Sequence, residues 1–113
     1  MLTKILSCAV VGIDGEAINI EADVSKGHPV FIVVGLADKA VDESRQRIPT
    51  AIRNSGFEYP YSKKIIVNLA PADLKKEGAA FDLPIAVGIL ISSGQVQANL
   101  DNSIFIGELA LDG

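Results

Sequence analysis

Hydrophobic and polar positions alternate across residues 16–24. Ile18, Ile20, Ala22 and Val24 fall on one side, and Asn19, Glu21 and Asp23 on the other. A period of two predicts a strand with one buried and one wet face. Residues 2–11 are also strand-like, although Lys4 and Ser7 blur the alternation. Between these two runs, Gly12-Ile13-Asp14-Gly15 supplies turn chemistry, with Asp-Gly as a hairpin signal. Ser25-Lys26-Gly27-His28-Pro29 reads as a loop. Val30 to Val34 is apolar throughout, the pattern of a strand covered on both faces. Three consecutive strands, arranged as a meander, are therefore expected to open the chain.

The period then changes to that of a helix. Asp38 is placed to cap it, and Asp42 and Glu43 sit where they complement the positive end of the dipole. Val41, Ile48, Ala51 and Ile52 share one side at helical spacing. Arg53 in the last turn and Gly56 just beyond predict a left-handed C-cap. Pro49 lies inside the pattern and predicts a kink near Arg45. After a loop over Phe57–Lys63, Lys64–Ala70 reads as a fourth strand. A second helix is expected from Asp82, with Pro84 tolerated in its first turn. Leu83, Ile85, Val87, Ile89, Leu90 and Ile91 leave it almost no polar face, so burial against the sheet is expected. Gly88 would permit close backbone approach there.

Ser92-Ser93-Gly94 ends this helix, and Ser103–Leu111 predicts a fifth strand. The order β-β-β-α-β-α-β indicates an α+β fold, a two-layer sandwich with the helices on one face of a mixed sheet. The chain closes on Asp112-Gly113, a hairpin dipeptide with no second strand after it. It therefore reads as a single domain, residues 1–113, cut from a longer protein within a hairpin. Such a cut would leave the fifth strand with an unpaired edge.

Composition fits a folded domain, with 49% apolar and 21% charged residues. No apolar run approaches the ~20 residues of a membrane span, and no cleavable leader pattern opens the chain, so a cytoplasmic location is expected. The single cysteine, Cys8, has no partner for an internal disulfide and reads as a small core residue.

The net charge of −4 conceals a basic middle. Residues 1–44 carry −4 and residues 77–113 carry −5, whereas residues 45–76 carry +5. Arg45, Arg47, Arg53, Lys63, Lys64, Lys75 and Lys76 supply that positive charge. A basic segment in an acidic chain is a candidate nucleic-acid footprint, and the ordinary alternative is a set of solvated faces. Arg45 and Arg47 point about 200° apart around a helix, whereas Arg45 and Arg53 share a face. If Arg45, Arg53, Lys63, Lys64, Lys75 and Lys76 converge at one end of the sheet, they can hold a DNA or RNA backbone. Tyr59 and Tyr61 are the nearby aromatics available for stacking.

Residues 68–90 run from the end of a strand through a charged loop closing on Gly78 into the apolar helix. A strand, a glycine loop and a helix N-terminus form a frequent site for a nucleophile or an anion. Yet Gly78-Ala79-Ala80-Phe81 offers no hydroxyl, thiol or imidazole. Asp82 reads as an N-cap and Asp73 as a turn residue after Pro71-Ala72, in preference to acid or metal roles. Val33–Asp38 enters a helix through one glycine, and G-x-x-x-x-G-K-[ST] is absent from the chain, so no Walker nucleotide site is expected. His28 has no second histidine with which to hold a metal.

The motifs Asn68-Leu69-Ala70-Pro71-Ala72-Asp73, Lys76-Glu77-Gly78 and Phe81-Asp82-Leu83-Pro84-Ile85-Ala86 resemble the N-terminal domain of the ComM/YifB family. These are magnesium-chelatase-related AAA+ proteins. Val11-Gly12-Ile13-Asp14-Gly15, Val34-Gly35-Leu36-Ala37-Asp38 and Asn54-Ser55-Gly56-Phe57 extend the resemblance to nearly the whole chain. It implies a Lon-protease-like fold related to domain 2 of ribosomal protein S5, followed by a separate AAA+ module that binds ATP and Mg. It also implies a hexameric parent concerned with DNA branch migration in natural transformation. A Lon-type peptidase places its serine two residues past the loop glycine, which is Ala80 here, and its lysine would fall beyond Gly113. The resemblance thus implies a non-catalytic accessory domain without a cofactor of its own. Its expected partners are DNA, its own AAA+ module and neighbouring subunits. A pure oligomerisation module, with acidic ends pairing to the basic middle across subunits, is the alternative. An active hydrolase and an S5-like RNA binder are weaker options.

Overall fold

In the computed structural model, which describes every residue from Met1 to Gly113, β1 (Leu2–Val11) and β2 (Asp14–Ser25) pair antiparallel. Val11 faces Asp14, so the connecting turn is Gly12-Ile13, two residues before the Asp-Gly that signals a hairpin. Gly12 supplies the positive φ, +65°, that such a turn requires. Next along the chain come β3 (Val30–Val34), α1 (Lys39–Asp42), α2 (Ser44–Asn54), β4 (Lys64–Ala70) and α3 (Asp82–Ser92). The fold is α+β, with one mixed four-stranded sheet in the order β1-β2-β4-β3.

The expected meander is corrected by this order. β2 pairs antiparallel with β4, and β3 lies outside β4, parallel to it. The α1–α2 segment is the crossover that two parallel strands need. β3 is consequently an edge, and Ile32 and Val34 are 36% and 44% exposed, not covered on both faces as their apolarity suggested.

Residues 103–111 also depart from expectation, because no fifth strand forms. The segment is extended, with Phe105, Gly107 and Leu109 half-buried and Ile104, Ile106 and Ala110 exposed. The period of two is right, but the backbone bonds go elsewhere. Phe105 N donates to Leu6 O, Gly107 N to Ala80 O and Leu109 N to the Asp82 carboxylate, so no ladder is built. A turn closes the chain, with Gly113 N donating to Ala110 O.

Asp38 caps α1 as expected, its Oδ1 accepting from Val41 N at 2.8 Å. The break in the first helix falls at Glu43, two residues before the Arg45 near which Pro49 was expected to kink it. There the ladder passes from Glu43 N→Lys39 O to the tighter Gln46 N→Glu43 O. α2 ends with Gly56 at φ +88°, where Gly56 N bonds Arg53 O and Phe57 N bonds Ile52 O. α3 ends the same way, with Gly94 N to Ile91 O and Gln95 N to Leu90 O. Both are Schellman closures.

The core lies between one sheet face and the two longer helices. Ile5, Ile18, Ile20, Val67 and Leu69 from the strands meet Ile48, Ile52, Ile85 and Ile89 from the helices. Burying each such side chain stabilises the fold by about 1.5–3 kcal/mol. Gly88 allows the close approach expected of it, since a Cβ there would lie 2.9 Å from the Ala22 methyl. No helix is long and apolar enough to cross a membrane.

Candidate functional site

The loop after β4 ends in backbone geometry that leaves it little chemistry. Ala72-Asp73 form a turn, with Leu74 N reaching Pro71 O, as Asp73 was expected to do. Lys76 then pairs in a short parallel bridge with Ala37. Its side chain is fully enclosed, and Nζ donates to the carbonyls of Gly35 and Pro71. Burial pushes the ammonium below the usual lysine range, and the Asp73 charge partly opposes this. The expectation that Lys76 contacts nucleic acid is therefore corrected, because its charge is spent inside the fold.

Gly78, at φ +86°, turns its N–H onto Asp38 Oδ2 at 3.2 Å, so one carboxylate ties the loop to the start of α1. Ala80 lines an adjacent cleft of about 640 Å³ with Cys8, Asp38, Glu77 and Ile106. Residue 80 brings a methyl group and no attacking atom. No group of three or more His, Cys, Asp or Glu side chains is close enough to hold a metal.

Asp82 is not the cap that the sequence suggests. The N-cap position of α3 is Phe81, and Asp82 is the first helical residue, 1% exposed. Its carboxylate accepts two bonds from Arg47, from Nε at 2.7 Å and Nη2 at 2.9 Å, and one from Leu109 N at 3.1 Å. The hydrogen bond to Asp82 raises the Arg47 pKa, against the opposing effect of burial. Pro84, buried in the first turn, has no N–H to satisfy. Asp82 N bonds Ala79 O, Leu83 N bonds Gly107 O and Ile85 N bonds Phe81 O. The N-terminus of α3 thus has its donors engaged, and that of α1 already holds the Asp38 carboxylate. Neither fits a nucleotide phosphate or its magnesium ion.

The basic side chains divide between the two ends of β4, which are about 20 Å apart at the usual rise per strand residue. Lys75 lies beyond the Ala70 end, exposed and 3.6 Å from Glu77. Arg45, Arg53, Lys63 and Lys64 gather at the other end. Lys63 and Arg45 line a cleft of about 250 Å³ with Phe31, Pro49, Tyr59 and Tyr61. Across the 59–63 segment, Lys63 and Lys26 line a second cleft of about 700 Å³ with Tyr59, Tyr61 and Ser62. Arg53 places its guanidinium 5.5 Å from the centroid of the Tyr61 ring. Lys64 lays its stem against Gly27, beside Lys26.

Arg45 is committed to Asp42 at 2.9 Å, but Lys26, Arg53, Lys63 and Lys64 have no carboxylate within 4.0 Å. Sequence reasoning missed Lys26. Only the pairing of Ser25 with Lys64 across the sheet brings it to this end.

A sequence profile of the family described as subunit ChlI of Mg-chelatase matches residues 20–113. YifB of Escherichia coli is 51% identical over 106 residues, covering 93% of this chain and 21% of its own length. The competence protein ComM of Haemophilus influenzae is 48% identical over 113 residues, covering 99% of the chain and 22% of ComM. The chain belongs to the Mg-chelatase-related ComM/YifB family. Rv2897c of Mycobacterium tuberculosis, 39% identical over 113 residues, is similar across the same span. The chain spans about a fifth of the length of these curated relatives. In this ComM/YifB-family chain, the engaged helix N-termini and the Ala80 cleft stand at one end of β4, and Lys26, Arg53, Lys63 and Lys64 at the other.

Proposed function

We propose that this chain is a non-catalytic accessory domain of a ComM-like AAA+ machine, with a two-layer fold of the Lon-protease and S5 domain 2 type. In this reading it works in the cytoplasm and steadies DNA during branch migration and natural transformation. A separate module of a hexameric parent binds ATP and Mg. The DNA contact is the end of the sheet bearing Lys26, Arg53, Lys63 and Lys64, assisted by Arg45. The observation that carries this is the gathering of four carboxylate-free cations at one end of a chain whose net charge is −4. Such charges hold phosphates by releasing counterions, independently of sequence. Lys75 is outside the contact and Lys76 is structural. Ala80 supports the non-catalytic part, because nucleophilic catalysis needs an activated heteroatom.

A gel-shift series with a short duplex at 50 and 200 mM salt tests the proposal. For four phosphates the affinity should fall by about a hundredfold between the two salts. Lys63→Ala with Lys64→Ala should abolish the shift, whereas Lys75→Ala should leave it unchanged. No shift at either salt would remove DNA from the account.

A second reading, subunit contact without nucleic acid, is favoured by the free β3 edge with Ile32 and Val34 exposed along it and Leu36 exposed just beyond its end. Sedimentation of the parent protein with and without residues 1–113 tests it. An unchanged oligomer size would count against it.

A further inference from the structure

We infer that the 59–63 ridge is a stacking platform for the unpaired bases of a single-stranded polynucleotide, an inference that rests on the DNA-contact reading above. Tyr59 and Tyr61 differ in how they are held. Tyr59 is half-buried against Phe31, with ring centroids 6.2 Å apart. Tyr61 meets it in a T-shaped pair at 4.8 Å and 67°, carries the Arg53 guanidinium over its ring at 5.5 Å and is 58% exposed. The inner ring is therefore packing, and the outer ring is offered to solvent on a fixed support.

That support is ordered from the far end of α3. Gln95, set by the Schellman closure, accepts from Glu58 N at 2.8 Å and donates to Glu58 O at 2.6 Å. This clasp imitates a pair of strand hydrogen bonds and holds the residue that leads into the ridge. Tyr61 N bonds Tyr59 O and Lys63 N bonds Pro60 O, so the ridge is also tied to itself.

Charge then assigns the two sides. Lys63 lines both clefts, and Arg45 reinforces the smaller one. The larger cleft contains Lys26 but also Glu58, whose carboxylate makes it the weaker of the two phosphate sites. The backbone accordingly follows the smaller cleft, Lys63 and Arg53, while bases turn towards Tyr61 and the larger cleft. Every base has a π-face, so this recognition tolerates any sequence. In a duplex those faces are stacked on one another and cannot reach the ring, which is why the platform selects an unpaired strand.

The experiment is fluorescence anisotropy of the full 113-residue chain with a labelled 20-mer of oligo-dT and a 20-base-pair duplex at 50 mM salt. Oligo-dT should bind several-fold more tightly than the duplex. Tyr61→Ala should weaken oligo-dT by about 5- to 100-fold and leave the duplex unchanged, whereas Tyr61→Phe should retain binding. Glu58→Gln should strengthen both. The chain has no tryptophan and two tyrosines, so its own fluorescence reports the contact, and oligo-dT should quench it. Equal affinity for the two probes, with Tyr61→Ala neutral and Lys63→Ala weakening both, would overturn the platform and leave the backbone contact standing. Binding to neither probe would overturn the contact itself.

Discussion

Arg47 and Asp82 are 35 positions apart, and they join the crossover helix to the buried one. Removing one member of a buried, hydrogen-bonded ion pair leaves its partner's charge uncompensated, at a cost of about 3–5 kcal/mol. Asp82→Ala is expected to destabilise the chain by about that amount in urea unfolding. It also frees the Leu109 amide, so the 103–111 segment should lose hydrogen-exchange protection. Tyr59 makes a prediction of a different kind, in pH. Burial raises its phenol from 10.0 to about 12. The folded state then holds a proton that the unfolded chain has released. The associated stability is fully present below pH 10 and is lost as pH rises from 10 through 12. The urea midpoint should fall across that window, and it should fall less in Tyr59→Phe. If both proteins show the same slope, the Tyr59 assignment is wrong.

At the scale of the element, what was legible in the sequence was local. The bounds of β1, β3 and β4 follow from runs of apolar or alternating residues. The Asp38 cap and the Gly56 closure depend on partners no more than five positions away. Ser103–Leu111 shows where such reasoning stops. Its alternation is real, but whether a ladder forms depends on a neighbouring backbone that no local pattern reveals. β3 was misjudged for the same reason: five apolar residues do not disclose which strand will lie beside them. Gly35 marks how tightly the crossover begins. It has φ +110°, and a Cβ there would stand 2.2 Å from Leu69 O. Gly35→Ala should therefore cost more than about 2 kcal/mol, from backbone strain together with displacement of β4. A thermal melt shifted by less than a degree or two would mean that the approach relaxes easily.

Across the whole molecule, the charge asymmetry was visible in the sequence but its geometry was not. Seven cations in 32 positions left a nucleic-acid footprint and a set of solvated faces both open, and folding divides them by task. Arg47 and Lys76 are spent inside, Lys75 stands apart, and Arg45, Arg53, Lys63 and Lys64 meet Lys26 at the ridge. Topology makes that selection, because the antiparallel β2–β4 pair sets the 25–28 loop beside the start of β4. At the other end of the sheet, residue 80 brings a methyl group to its cleft where a Lon-type serine would stand. We therefore propose surface charge and an exposed ring, in place of an attacking atom, as what this domain offers a partner. The most direct test is the affinity of the 113-residue chain for a short duplex, measured across a salt series. Four phosphate contacts predict a slope of log affinity against log salt of about −3.6. A flat slope, or no binding at 50 mM salt, would contradict the account.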